Sequence, residues 1–340
     1  MKRKFTVILL VLAVLAATFA LTACADDKKP EEGNDPVAIH VVVPDGAPAL
    51  AIAKLLKDKP TFEGYNVTYE IVAGAAEIGT KLTQGGAQIA VAPTNIAATL
   101  YNKKKEIALL ASAVHGLVYM VGTGDAETLS DLKGKVVYNI GQGGTPDLSF
   151  QYILRQNGIE YVVSDQPVEG KVALSYVGSG TELIPLMVQG KAQYGILGEP
   201  AATQALGKLA AKGGRRLFDL QQLWNEATGS TENYPQASVV VNKSLLTEAH
   251  SAFINRFLQL LEENASWILT NPSEAGQALV DNGSLTPNSY NAEVIARCNI
   301  RIVKASQAKT AVERYLNVLY GFNPQSIGGS VPDAAFYAAI

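Results

Sequence analysis

The sequence predicts an α/β fold built as two similar lobes, and three observations carry that prediction. Short apolar runs of strand type alternate with helix-forming stretches through most of the chain, the pattern of parallel sheets with crossover helices. The 304 residues that follow residue 36 are more than one core usually covers, so two domains are expected. Third, the chain repeats itself at an offset of 105 residues: VAGAAE at 72–77 corresponds to VGSGTE at 177–182, and QGGAQ at 84–88 to QGKAQ at 189–193. Each copy runs on through an apolar strand into a turn with proline, Pro93 in one and Pro200 in the other. The period is far too long for a solenoid repeat and instead points to two α/β lobes.

The elements follow in order. Residues 37–43 form a near-continuous apolar run, as in a strand covered on both faces. A turn at 44–47 leads to Pro48, placed where a helix start tolerates a missing N–H, and 49–56 is helix-forming. Strands are expected at 65–72, 88–92, 107–114 and 117–121, with helices at 77–83 and 95–101. The second copy gives strand 135–140, a glycine-rich loop at 141–145, helix 146–156, strand 172–177, helix 181–188, strand 193–197 and helix 201–211. One more strand at 237–242 precedes a mostly helical end.

Lys2, Arg3 and Lys4 precede an uncharged apolar stretch over 5–20 and the sequence Leu-Thr-Ala-Cys ending at Cys24. Charge, apolar run and small-residue cleavage site make a secretory signal over 1–23, too short to span a membrane comfortably, which takes about 20 residues. The ending resembles a bacterial lipobox, so Cys24 is expected to carry a lipid anchor. Residues 25–36 (ADDKKPEEGNDP) include seven charges and no large apolar side chain, the composition of a flexible leash.

Charge is nearly balanced, at −3, so nothing favours nucleic acid. With Cys24 used by the anchor, Cys298 has no partner for an intrachain disulfide; its setting, NAEVIARCNIRIV, reads as a buried packing position. No nucleophile elbow, Walker A loop, H-E-x-x-H or paired CxxC occurs. Three histidines, at 40, 115 and 250, suggest neither a metal cluster nor a catalytic dyad. No catalytic residue, metal or cofactor is therefore expected.

In open α/β sheets ligands lie beyond the carboxyl ends of strands, where loops enter helix N-termini. Two facing lobes would offer such loops from both sides: 44–47, 92–95 and 113–116 from the first, and 141–145, 177–180 and 198–200 from the second.

The lipobox, the opening VVVPDGAPALAIAKLL, the loop YNIGQGGTPD, the segment QGKAQYGILGEPAA and the ending VPDAAFYA together resemble the substrate-binding proteins of ABC importers. The group is the nitrate, sulfonate, taurine and thiamine-precursor type, and the likeness spans nearly the whole chain beyond the signal. It implies the type II periplasmic-binding-protein fold, with lobe I from 37–118 plus 236–340 and lobe II from 119–235. Hinge crossings are then expected near 115–120 and 234–238. It implies capture of a small-molecule solute in the inter-lobe cleft by a monomer held at the membrane by its lipid, and delivery to an ABC permease and its ATPase. The residues it places on the ligand are Asp45, Gly46, Ala47, Thr94, Asn95, His115, Gly143, Gly144, Thr145 and Glu199.

Each has a plainer reading. Asp45 suits a turn; Thr94 and Asn95 suit helix N-caps; His115 suits a hydrogen-bonded structural role; the 141–145 loop suits a tight turn. Ser179 and Glu182 fit a capping box, so Glu182 and its counterpart Glu77 stay outside the site. The 141–145 loop is the first choice for ligand contact, because two glycines before a proline-started helix permit close backbone approach. None of the six loops contains Arg or Lys. An anion would rest on helix N-termini and polar groups, whereas Asp45 and Glu199, if both face the cleft, favour a neutral or amine-bearing organic solute. The alternatives are a sulfonate or nitrate receptor of the same fold, an enzyme of that fold, and a sensory lipoprotein. The related fungal thiamine-pyrimidine synthase carries a cysteine-rich motif that this chain lacks, and the menaquinone-pathway enzymes belong to another compartment.

Overall fold

In the first sheet, the strand that completes the middle comes from far along the chain. The computed structural model describes residues 35–286 and 289–340; the signal segment 1–23, Cys24 and most of the leash lie outside the described residues. The chain opens with β1 (Val37–Pro44), a 3-10 turn at Ala47–Ile52 and α1 (Ala53–Asp58). It continues through β2 (Tyr65–Val72), α2 (Ala75–Thr83), β3 (Ile89–Pro93), α3 (Thr94–Lys104) and β4 (Ile107–Val114). The chain then leaves that sheet. β5 (Val118–Gly122), β6 (Val136–Ile140), α4 (Thr145–Gln156), β7 (Tyr161–Val163) and β8 (Val172–Val177) follow. Next come α5 (Gly180–Val188), β9 (Tyr194–Gly198), α6 (Ala201–Leu209), β10 (Arg215–Asp219) and α7 (Leu220–Thr228). The last part holds β11 (Ala237–Asn242), α8 (Ser251–Thr270), α9 (Pro272–Asp281), α10 (Ala292–Arg297), β12 (Ile300–Lys304) and α11 (Ala305–Phe322).

Two six-stranded sheets result, ordered β12-β4-β11-β3-β1-β2 and β10-β5-β9-β6-β8-β7. The repeat in the sequence is a repeat in space. β3-β1-β2 in one sheet matches β9-β6-β8 in the other, with β1 parallel to β3 and β6 parallel to β9. Each triplet is then flanked by a strand that arrives across the molecule. β11 runs antiparallel to β3 and β4, and β5 runs antiparallel to β9. The sheets are therefore mixed rather than wholly parallel, because the strands next to the two crossings enter in the opposite sense. This is the α/β, type II periplasmic-binding architecture, with the chain passing between sheets at 115–117 and again at 229–236.

Burial follows from this layering. All eight residues of β4 are buried, as a strand covered on both faces requires. On α8, Phe253, Ile254, Phe257, Leu258 and Leu261 recur at helical spacing and face the core. The three strands not expected from the sequence, β7, β10 and β12, are all sheet edges. Residues 38–340 form one compact unit that holds both sheets.

The crossings are fixed by a buried amide. Gln221, 2 % exposed, accepts the Val118 N–H at 2.9 Å from the first crossing and the Tyr234 hydroxyl at 3.1 Å from the second. Gly116 has φ 70°, and a Cβ there would sit 2.4 Å from the Gln221 side chain. Glycine alone satisfies both demands.

Candidate functional site

A cleft of about 450 Å³ lies where the carboxyl ends of strands from both sheets meet, within the range of small-molecule pockets. From the first sheet come Asp45, Gly46, Ala47 and Pro48 after β1, and Ala73 after β2. From the second come Ile140 at the end of β6, Ser179, Gly180, Thr181 and Ile184 after β8, and Gly198 at the end of β9 with Glu199, Pro200, Ala201 and Gln204 after it. Leu117 and Gln236, one at each crossing, close the back, and Leu285 and Thr286 form part of the rim. The apolar groups include Leu117, Ile140, Ile184 and Ala201. The polar ones are the Ser179–Thr181 hydroxyl pair, 2.7 Å apart, and the amides of Gln204 and Gln236. The side-chain carbonyl oxygen of Gln236, Oε1, is buried with no hydrogen-bond partner.

Both acids at the cleft are already engaged. Asp45 accepts the N–H groups of Gly46 at 2.7 Å, Leu285 at 2.9 Å and Thr286 at 3.1 Å, together with the hydroxyls of Ser284 and Thr286. Glu199, 3 % exposed, accepts from Thr203 N and Oγ1 and from the guanidinium groups of Arg216 and Arg297. Glu199 is balanced by two guanidinium groups and gives no ground for excluding an anion. Asp45 is held only by neutral donors and keeps its charge, so the expectation of a neutral or amine-bearing solute rests on Asp45 alone. The two arginines were not legible from the sequence, because they reach the site from β10 and from the end of α10.

Of the ten residues expected on the ligand, Asp45, Gly46, Ala47 and Glu199 line this cleft. The lining does not include Thr94, Asn95, His115, Gly143, Gly144 or Thr145, and each has a local reason. Thr94 is fully buried and pairs its hydroxyl with Ser238 at 2.9 Å. Asn95 donates to the Ser326 carbonyl at 3.3 Å. Neither caps α3, whose N-cap is Pro93. His115, 4 % exposed, pairs Nε2 with Ser112 Oγ at 2.9 Å. Burial first, and the charge of Arg301 second, hold its pKa down to about 3, so the ring is neutral at ordinary pH.

The glycine loop at 141–145, the first choice for ligand contact, is occupied by its own helix. Asp147, 1 % exposed, accepts the Gly143 N–H at 2.7 Å and the Tyr176 hydroxyl at 2.8 Å. That carboxylate takes the donor an incoming anion would have used. Gly144 is in an ordinary extended conformation, φ −85°, and Thr145 receives the Tyr315 hydroxyl at 2.8 Å.

Residues 178–181 are the converse case. The expected reciprocal cap does not form: Glu182 accepts from Gly178 N at 2.9 Å, and Ser179 makes no side-chain cap bond. Its hydroxyl is left at the cleft with that of Thr181. The signal was present in the repeat, which placed this loop beyond the carboxyl end of a central strand.

The comparisons agree with this geometry. The family model for NMT1/THI5-like proteins matches residues 61–275, more than half of the chain. The chain belongs to the NMT1/THI5-like family. Among solved structures, an ABC transporter protein from Parabacteroides distasonis is similar at 27 % identity and TM-score 0.75, covering 89 % of this chain and 99 % of that one. The periplasmic aliphatic sulphonate-binding protein SsuA of Escherichia coli shares the fold at 15 % identity and TM-score 0.65, over 90 % and 92 % of the two chains. The alkanesulfonate-binding SsuA of Xanthomonas axonopodis pv. citri, solved with MOPS bound, does so at 13 % identity and TM-score 0.57, over 90 % and 97 %. No curated protein matches the chain. The NMT1/THI5-like match covers all of the second sheet and β2, β3, β4 and β11 of the first, and includes Glu199, Gln204 and Gln236 of the cleft.

Proposed function

We propose that this protein is the extracytoplasmic solute-binding component of an ABC importer, capturing a small organic solute between two lobes and handing it to a permease. One observation carries the reading: a cleft of about 450 Å³ receives strand ends and helix starts from both sheets of a binding-protein fold. Lobe I is 37–118 plus 236–340 and lobe II is 119–235, so that ligand contact with both favours closure. The solute places its apolar part on Leu117, Ile140, Ile184 and Ala201. Its polar head meets Ser179, Thr181, Gln204 and Gln236. With Glu199 paired to Arg216 and Arg297, that carboxylate does not oppose a sulfonate-type head, which supports the anion receptor as the second reading. Asp45 keeps its charge and favours a head placed toward the Ser179–Thr181 side.

Cys24 anchors the chain by a lipid, and the 25–36 leash keeps the receptor near its permease at high effective concentration. Among the described residues no helix is long and apolar enough to cross a membrane. The test is a thermal-shift screen of the purified protein against sulfonates, nitrate, pyrimidines and vitamins. A solute at 100 times its Kd adds about 2.7 kcal/mol to stability. If no compound in these classes moved the melting curve, the receptor reading would lose its support.

A further inference from the structure

Glu199 and Arg297 join parts of the chain that belong to different sheets. Glu199 follows β9 in the second sheet, and Arg297 ends α10, three residues before β12 of the first. Arg297 Nε donates to Glu199 Oε1 at 2.8 Å, and its NH2 lies 3.3 Å from Thr203 Oγ1. The Glu199 side chain is wholly shielded from solvent, while that of Arg297 is 23 % exposed. Glu199 also lines the cleft, so the contact sits at the place where the two halves would part.

What distinguishes this pair from an ordinary buried ion pair is that each partner has a second partner on its own side. Glu199 is also bound by Arg216 of β10 and by both donors of Thr203, all within the second half. Arg297 is also paired with Glu293, one turn earlier on α10, at 3.4 Å. Breaking a buried ion pair normally strands a charge, which is why such pairs resist opening. Here separation leaves the carboxylate on Arg216 and Thr203 and the guanidinium on Glu293. Neither charge is orphaned.

We propose that the Glu199–Arg297 ion pair is a reversible latch, which holds the two halves in the arrangement seen here and releases when the cleft opens. Glu293 holds the same guanidinium through a different nitrogen and is the partner that keeps Arg297 paired after release. This rests on the reading of the cleft as a solute site, because only then does its opening matter.

The test is the distance between fluorescent labels placed on Lys208 and Glu262, one on α6 and one on α8, in purified solute-free protein. Arg297→Gln should raise the population at long distance at least twofold, and Arg297→Lys should restore part of the loss. Glu293→Gln, at an 81 % exposed side chain, should move the population the other way, because opening would then leave the Arg297 guanidinium without its remaining partner. It also keeps the proposal open to test should Arg297→Gln fail to fold. If Glu293→Gln left the distance distribution unchanged, or if a folded Arg297→Gln did so, the latch would be overturned. Because these measurements use no solute, a latch that responds as expected stands even if the solute screen is blank.

Discussion

Gln221 accepts the backbone N–H of Val118 at 2.9 Å in a region closed to solvent. The same carbonyl oxygen takes the Tyr234 hydroxyl at 3.1 Å, so one amide ties both passages between the sheets. Gln221→Leu keeps the volume and removes the acceptor. It strands a buried N–H and a buried hydroxyl, at a cost of about 1–3 kcal/mol for each unsatisfied group. Chemical denaturation should show a clear fall in midpoint. An unchanged midpoint would mean that the crossings are held by packing alone.

Gln236 gives the opposite balance. Its side-chain oxygen Oε1 is buried without a partner at the back of the cleft, a cost the folded protein bears with no internal return. Gln236→Leu should leave the melting temperature equal or higher while weakening the solute found by the thermal-shift screen about tenfold or more, one good hydrogen bond at about 1.4 kcal/mol per decade. Titration calorimetry on that solute decides the matter. Unaltered affinity would place the polar head elsewhere in the cleft.

The inner strands were legible because burial on both faces writes itself into composition. The runs at 107–114, 172–177 and 237–242 coincide with β4, β8 and β11. The edge strand β2 was legible at 65–72 through its alternation instead. The other three edge strands were not, since each is short or carries charge. β7 is only three residues, β10 begins with Arg215 and Arg216, and β12 reads Ile-Arg-Ile-Val-Lys. At the site, the repeat located the loops but not their occupancy. A glycine-rich turn before a helix looks the same whether an incoming anion or Asp147 fills it. A carboxylate such as Glu199 looks free until Arg216 and Arg297 are brought to it from 17 and 98 residues away.

Cys298 offers a simple check on the packing. It is fully buried, and burial first and the charge of Glu199 second push its thiol pKa far above the ordinary range. Thiolate is the reactive form, so native protein should leave Cys298 unmodified by a thiol reagent for hours and yield it at once in denaturant. Mass spectrometry of the 292–301 peptide reads this directly. Prompt labelling under native conditions would show that the α10–β12 junction opens locally.

His115 should make the protein acid-sensitive. Its pKa is held down to about 3 in the folded chain, against 6.5 as its ordinary value. Between those values the unfolded chain binds a proton that the folded chain refuses, so stability rises with pH across that window. The full contribution is present above pH 6.5, and about 1.4 kcal/mol is lost for each unit below it until the folded value is reached. His115→Gln retains a hydrogen-bonding group beside Ser112 and removes the titration. Its unfolding free energy should therefore fall less steeply than that of the parent between pH 6.5 and 4. Carboxylates contribute to both proteins alike, so the difference between the two curves isolates the imidazole. Parallel curves would show that His115 is solvated and charged in the folded state, and that the Ser112 contact at 2.9 Å does not keep water from the ring.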